Sequence, residues 1–273
     1  MPALAANLSR TAQILRFLVK YRNAGVFTGL NVDAADISVT ENAEAGKAEE
    51  FVTDLEALGP TFIKIGQALS TRPDMVPAPF LAALERMQDD TSPVPFEAIR
   101  EVVESELGVK LSKLFSEFDE APLGGASLAQ VHRARLRDGR LVAVKVQRPD
   151  MQQGIRDDLD ALASLAGKAD DYTDAGRRMR VSDWVHEFRK SLLAELDYRV
   201  EAENLARFQQ HFDRYPQLFV PEPIWDYVRA RVLTMELIDG VKATDIGGLR
   251  RTEQNLGDLA AVVMRAYLDQ AFI

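Results

Sequence analysis

The sequence predicts an α+β fold: a helical N-terminal extension, a small antiparallel sheet with its helix, and the start of a further helical region. Three observations predict it. Apolar residues recur at three- and four-residue spacing as far as Leu107. The period then drops to two on either side of Arg137-Asp138-Gly139-Arg140, a hairpin signal. The helical period returns after Pro149.

The extension is punctuated by glycine and proline. Leu55 and Leu58 close one helical segment at Gly59, a natural C′ residue, and Pro60 suits the first position of the next. Phe62, Ile65 and Leu69 form its apolar stripe, and Pro73 and Pro77 stop it. Another helix starts at Pro79 with Phe80, Leu84 and Met87. After Ser92-Pro93-Val94-Pro95, a further one carries Phe96, Ile99, Val103 and Leu107 and ends at Gly108. Ahead of these, Leu8, Leu15, Leu18 and Tyr21 fall at helical spacing. Residues 1–32 hold Arg10, Arg16, Lys20 and Arg22 and no acid, which suits a helix packed on the body with a solvated basic face. The competing reading is a basic amphipathic helix on an anionic membrane surface. Residues 31–49 are polar and acidic and read as a connector.

In the sheet region, Ala129–Leu136 and Leu141–Gln147 flank the turn. Val142, Val144 and Val146 face one way, and Ala143, Lys145 and Gln147 the other. Helices follow, first with Ile155, Leu159, Leu162 and Leu165, then a long one from near Ser182 to Phe212. Residues 215–240 read as a proline-bounded strand and a hairpin-like pair, and a last helix holds Leu259, Val263 and Phe272.

Composition narrows the function. The 273 residues are 47% hydrophobic and 27% charged, the proportions of a globular protein. A net charge of -9 argues against nucleic acid as a partner, since phosphate binding needs a basic surface. There is no cysteine, hence no disulfide or thiolate metal site, and three scattered histidines do not suggest zinc. No apolar run is long enough to span a bilayer, and the N-terminus does not read as a signal peptide.

One constellation carries chemistry. A Gly124-Gly125-Ala126-Ser127 loop precedes a strand whose small-residue face bears a single lysine, Lys145. A long acidic helix with Glu187, Glu195, Asp197 and Glu201 follows, then a strand ending in Met235-Glu236 and a turn glycine. This is the order of parts in the N-lobe of a protein kinase. Glycines without Cβ let backbone N–H groups approach phosphate oxygens. A strand lysine supplies a point charge for the α- and β-phosphates and needs an anionic partner of its own. A strand-end linker reads adenine with its backbone. Each signal alone has a plain reading as a turn, a snorkelling lysine or a solvated helix face; the order makes the joint reading stronger.

The stretch Gly59–Pro77, with Lys64 and Gln67 set three apart in an apolar helix, resembles the Lys-x-Gly-Gln signature of the UbiB/AarF family of atypical kinase-like proteins. The resemblance continues through LERMQDD, PLGGASLAQVHRA, VAVKVQRP, ELDYRVEAEN and MELIDG, from about residue 51 onward. It implies that the Lys-x-Gly-Gln helix folds over a nucleotide pocket, with Lys64 paired to an acid of Glu195-Leu196-Asp197 and Gln67 pointing into the same cleft. Arg72, Asp74 and Asn204 would be supporting residues. For Lys145 the expected partner is Glu195, with Glu187 as the competitor. His132 is expected to be a hydrogen-bonded strand residue, and His186 and His211 to lie on the surface. His211-Phe212-Asp213 mimics a catalytic His-x-Asp but precedes the hinge.

The resemblance further implies ATP or ADP with Mg2+ as cofactors, support of isoprenoid-quinone (ubiquinone) biosynthesis, and a cytoplasmic place at the inner face of a membrane. Nucleotide, membrane surface or isoprenoid lipid, and quinone-biosynthesis proteins are the expected partners. It divides the chain into residues 1–50 (basic helix and connector), 51–113 (extension), 114–237 (kinase-like N-lobe) and 238–273 (start of the C-lobe). Two departures stand out. The family's alanine-rich phosphate loop is glycine-rich here. The His-x-Asp…Asn loop and Asp-Phe-Gly of phosphoryl transfer do not occur in these residues, so the chain as it stands is expected to be inactive, with the apolar face of its last helix exposed. The alternative is a non-catalytic lipid- or partner-binding module with a vestigial pocket.

Overall fold

The computed structural model describes residues 2–22, 24, 41–87, 93–241 and 256–272, and these form the expected α+β arrangement of many helices and one small antiparallel sheet. In chain order the helices are α1 (Pro2–Lys20), α2 (Glu41–Leu58), α3 (Pro60–Ser70), α4 (Ala78–Glu85), α5 (Phe96–Leu107), α6 (Leu111–Leu114), α7 (Met151–Tyr172), α8 (Asp174–Met179), α9 (Val181–Glu195), α10 (Tyr198–Phe212) and α11 (Leu256–Phe272). The strands are β1 (Phe115–Phe118), β2 (Gly124–Gly125), β3 (Ala129–Leu136), β4 (Leu141–Gln147) and β5 (Val232–Glu236). They fall into two compact units that interleave along the chain. Described residues of 1–92, 125–128 and 148–194 form the first, and those of 93–124, 129–147 and 195–273 the second.

The first unit is built from α1–α4 and α7–α9. Gly59 sits at φ 96°, a left-handed value that lets α2 stop and α3 begin one residue later, with Pro60 at the first helical position. Phe62, Ile65 and Leu69 are buried as their spacing predicts. Around Phe51 lies an aromatic cluster: Phe17 at 5.2 Å, Tyr21 edge-on at 4.9 Å and Phe80 edge-on at 5.5 Å between ring centroids. α1 therefore docks through Ile14, Phe17 and Tyr21. Leu15, expected on the apolar stripe, is instead 43% exposed, because the inward face runs one residue earlier. The Leu8 side chain lies outside the described part. Arg10 is partly buried and Lys20 stays exposed, and both are ion-paired within the unit. Arg10 Nε donates to Asp158 at 2.5 Å, and Lys20 pairs with Asp54 at 2.6 Å and Glu50 at 2.7 Å. Of the expected connector, residues 31–40 lie outside the described part; from Glu41 onward the chain is helical.

In the second unit the sheet order is β1-β3-β4-β5, all antiparallel. The hairpin turns through three residues, Arg137-Asp138-Gly139, with Gly139 at φ 93°. Leu136 N–H donates to the Arg140 carbonyl at 2.9 Å and Gly139 N–H to the Leu136 carbonyl at 3.0 Å, the three-residue loop with glycine in the left-handed position. Val142, Val144 and Val146 are fully buried against Ile99 and Val103 of α5 and Val232 of β5. The opposite face packs Leu233 and Met235 on Tyr198, Ala202 and Leu205 of α10. His132 is buried and bonded as expected: its Nδ1 donates to the Asp119 carbonyl at 2.9 Å, and burial holds the imidazole below its ordinary range.

Three expectations need correction. The long helix breaks at Leu196-Asp197, because the Asp197 carboxylate accepts from the Arg199 N–H and starts a new helix. The hairpin-like pair after Tyr215 is one strand, β5, bridged at Pro223–Met235; Trp225–Tyr227 is a 3-10 turn, since the prolines at 221 and 223 lack ladder donors. His211 is half-buried, with Nε2 3.3 Å from the Ala266 carbonyl of α11. On α11, Leu259, Val263, Met264, Tyr267 and Leu268 are exposed, as expected of that helix.

Thr234 is fully buried opposite Val144 and its hydroxyl has no hydrogen-bond partner. An unpaired buried hydroxyl costs about 1–3 kcal/mol. Thr234→Val keeps the shape and removes the hydroxyl, so the urea midpoint should rise by about 1 kcal/mol equivalent; a lower midpoint would show the hydroxyl to be paired.

Candidate functional site

Lys145 owes its direction to its neighbours. Val144 and Val146 turn into the core, so the alternation of β4 sends Lys145 to the other face, opposite Leu233 of β5. There its Nζ lies 2.8 and 2.7 Å from the two Glu201 carboxylate oxygens, and 4.9 Å from the centroid of the Tyr198 ring. The lysine and glutamate side chains are 26% and 38% exposed, so the pair stays open to solvent on one side. Tyr198 beneath them is 2% exposed, and its hydroxyl has no hydrogen-bond partner. Burial first, then the charges of Glu201 and Glu195, holds that hydroxyl well above the usual phenol range.

The partner of Lys145 is thus Glu201, neither Glu195 nor Glu187. The reason is the helix break. Asp197 is extended (φ −119°, ψ 96°) and caps α10, and Tyr198 N–H donates to the Ala230 carbonyl at 2.9 Å, tying the helix start to the chain ahead of β5. Gln147 Nε2 donates to the Leu196 carbonyl at 3.3 Å and fastens the break to the end of β4. A new helix starts its phase at Asp197, so Tyr198 and Glu201, three apart, share the face over Lys145. The sequence signal for this break is the aspartate cap in Leu196-Asp197-Tyr198, which ends the apolar run of one helix and starts the next.

The remaining candidates fall in several places. Gly124 and Gly125 are exposed, and a Cβ on Gly124 would meet nothing within 4 Å, so packing does not demand glycine there. Leu123 N–H, just before them, donates to the Val131 carbonyl at 2.7 Å. In the first unit, Arg148 clamps the loop that follows: its Nε donates to the Ala126 carbonyl and its N–H to the Leu128 carbonyl, both at 3.0 Å. Ser127 is 3% exposed and its Oγ has no hydrogen-bond partner. Met235 stands opposite Ala143, on the Lys145 face. Glu236 is exposed, and its N–H donates to the Glu222 carbonyl at 2.9 Å. Asp197 is engaged by Arg199 at 2.6 and 2.8 Å, which holds its carboxyl below the usual range.

Lys64 and Gln67 are half-buried on one side of α3, while Phe62, Ile65 and Leu69 are buried on the other. Between them, Gly66 lies close to α4 and the residues after it: a Cβ there would stand 3.2 Å from Leu84 Cδ2 of α4 and 2.7 Å from the Met87 methyl. The Arg72 guanidinium forks onto Asp74 at 2.8 and 2.7 Å. Among the described residues, no three His, Asp or Glu side chains converge as a metal site.

A family model described as the ABC1 atypical kinase-like domain matches residues 86–273. Curated relatives named "Probable protein kinase UbiB" are similar over most of the chain. That of Marinobacter nauticus is 38% identical over 218 residues, covering 80% of this chain and 40% of the relative. That of Cellvibrio japonicus is 34% identical over 268 residues, covering 96% and 49%. That of Edwardsiella ictaluri is 41% identical over 219 residues, covering 80% and 40%. The chain therefore spans less than half the length of these proteins. A solved structure, the complex of Rv3197 with erythromycin from Mycobacterium tuberculosis, matches with a TM-score of 0.52 and 31% identity, over 75% of this chain and 51% of that one.

A double-mutant cycle on stability with Lys145→Met and Glu201→Gln should give a coupling of about 0.5–1 kcal/mol, the scale of a partly exposed pair. The same cycle with Glu195→Gln should give less; equal or larger coupling to Glu195 would reverse the assignment.

Proposed function

The chain belongs to the ABC1 atypical kinase-like family, and we propose that it binds ATP or ADP through Lys145. The observation that carries this reading is the Lys145–Glu201 ion pair. A strand lysine held by both oxygens of a helix carboxylate keeps its ammonium in one place, ready to meet phosphate oxygens without first being ordered. The other residues fit a nucleotide. The Gly124-Gly125 backbone is exposed, and the Ser127 hydroxyl is an unpaired donor in the loop. At the strand end the base would meet the Glu236 carbonyl beside Met235, since the N–H groups of Glu236 and Leu237 are bonded to the Glu222 and Leu141 carbonyls.

When bound, the nucleotide supplies the phosphoryl group and brings Mg2+ on its phosphates. This chain's own residues bind and orient: Lys145 neutralises charge and Glu201 positions Lys145. No residue here is assigned the roles that orient a nucleophile or hold magnesium directly, and no Asp-Phe-Gly occurs in the 273 residues.

The names of the relatives support a kinase-like role for the whole protein, and the family resemblance implies that the role is in isoprenoid-quinone biosynthesis. We place it at the inner face of a membrane, through the outer face of α1. There Leu15 and Val19 are exposed beside Arg16, and no helix among the described residues is long and apolar enough to cross a bilayer.

In the full-length protein, Lys145→Met should weaken ATP and ADP binding at least tenfold by calorimetric titration; unchanged affinity would remove the site. Leu15→Glu with Val19→Glu should cut sedimentation with anionic liposomes several-fold and reduce its sensitivity to salt. Equal pelleting of the variant and the parent would rule out α1 as the contact.

A further inference from the structure

We infer that the first unit contains a second ligand site: an apolar cavity that takes a single-chain, lipid-like molecule with a small neutral head. The cavity measures about 340 Å³ and is walled by α1, α2, α3, α7 and α9. Phe51, Leu55, Phe62 and Leu69, each no more than 3% exposed, form its inner wall, and Trp184 and Leu162 lie nearer solvent. Of all its lining residues, Arg72 alone bears a charge or a polar side chain beyond the tryptophan N–H.

These properties select the ligand. A buried water needs two to four polar partners, which such a wall does not offer. A nucleotide or sugar would bury unpaired polar groups there. The volume is at the low end for a small-molecule site. At about 30 Å³ per carbon, close to the share of a water molecule in liquid, it holds one chain of roughly a dozen carbons and not the two chains of a phospholipid. The charge chosen for the head follows from Arg72. Its Nε and Nη2 are taken by the Asp74 carboxylate, so the pair is neutral overall and suits a hydroxyl or carbonyl better than an anion. Trp184, stacked on Phe188 at 5.5 Å and 7° between planes, gives a flat aromatic wall for the chain.

The site has a consequence for the family motif. Phe62, Ile65 and Leu69 line the cavity from one side of α3, while Lys64 and Gln67 leave its other side. An occupant therefore presses on the back of the helix that carries both motif residues.

Trp184 makes the site readable. The full-length protein would be titrated with a bromine-tipped undecanol, following tryptophan fluorescence in parent and Trp184→Phe proteins. The difference isolates quenching at the cavity. We expect saturable quenching that plain undecanol displaces. Ala166→Phe, which fills the cavity from α7, should raise the half-saturating concentration tenfold or more, and Arg72→Leu several-fold. Should Ala166→Phe not fold, Leu162→Phe at the less buried wall replaces it. Quenching that is linear in alcohol, absent, or untouched by the filling variant would overturn the site. Lys145→Met should leave this quenching intact, so failure of the nucleotide reading and failure of this one are separately visible.

Discussion

The alternation of β4 is the constraint on which the candidate site depends. Three valines at 142, 144 and 146 are fully buried against α5 and β5, and this fixes the register and face of the strand. A one-residue slip would put all three valines on the opposite face and Lys145 in the core. Burial of the valines thus does electrostatic work at a distance. It delivers an ammonium to the only face where a carboxylate from α10 can meet it, above the buried ring of Tyr198. Neither the ion pair nor the aromatic contact would hold the lysine there alone, because an exposed pair contributes little.

The partner side of that meeting depends on a helix end. Asp197 caps α10 and interrupts what would otherwise run on from α9. The interruption has two effects. It resets the helical phase, so that Tyr198 and Glu201 point together. It also anchors the helix start through backbone bonds to Ala230 and from Gln147. Asp197 is thus tied up structurally, its carboxylate shared between the cap and the Arg199 guanidinium. A motif acid of this kind shapes the site before it touches any ligand.

The first unit uses different physics. Aromatic rings around Phe51 and the Arg10–Asp158 pair fasten α1, α2 and α7. Asp158 is 4% exposed, and a charge buried that far is tolerated only with its partner in place. The basic residues of α1 are thus used unequally: Arg10 is paired with the buried Asp158, Lys20 is paired at the surface, and Arg16 is exposed with Leu15 and Val19. The same helices enclose an apolar chamber, so α3 serves both a hydrophobic wall and the motif residues on its reverse.

By itself the sequence determined where chain direction changes. Gly59 with Pro60, Gly108 and Asp138-Gly139 act through local backbone preferences, and the helices and hairpin ended there as expected. It determined the two-faced pattern of β4, and with it the choice of Lys145, because period two is a property of any strand. The family, too, was legible in motifs such as Lys64–Gln67 and VAVK. What only the tertiary structure decided was which acid Lys145 meets and which faces of α1 turn inward. Four acids between Glu187 and Glu201 were equivalent by composition, and Leu15 was as apolar as Ile14. Choosing among them required the phase of α10 after its cap and the position of Phe51 beside α1. Both are set by contacts between residues distant in sequence, and helical spacing alone carries no information about those contacts.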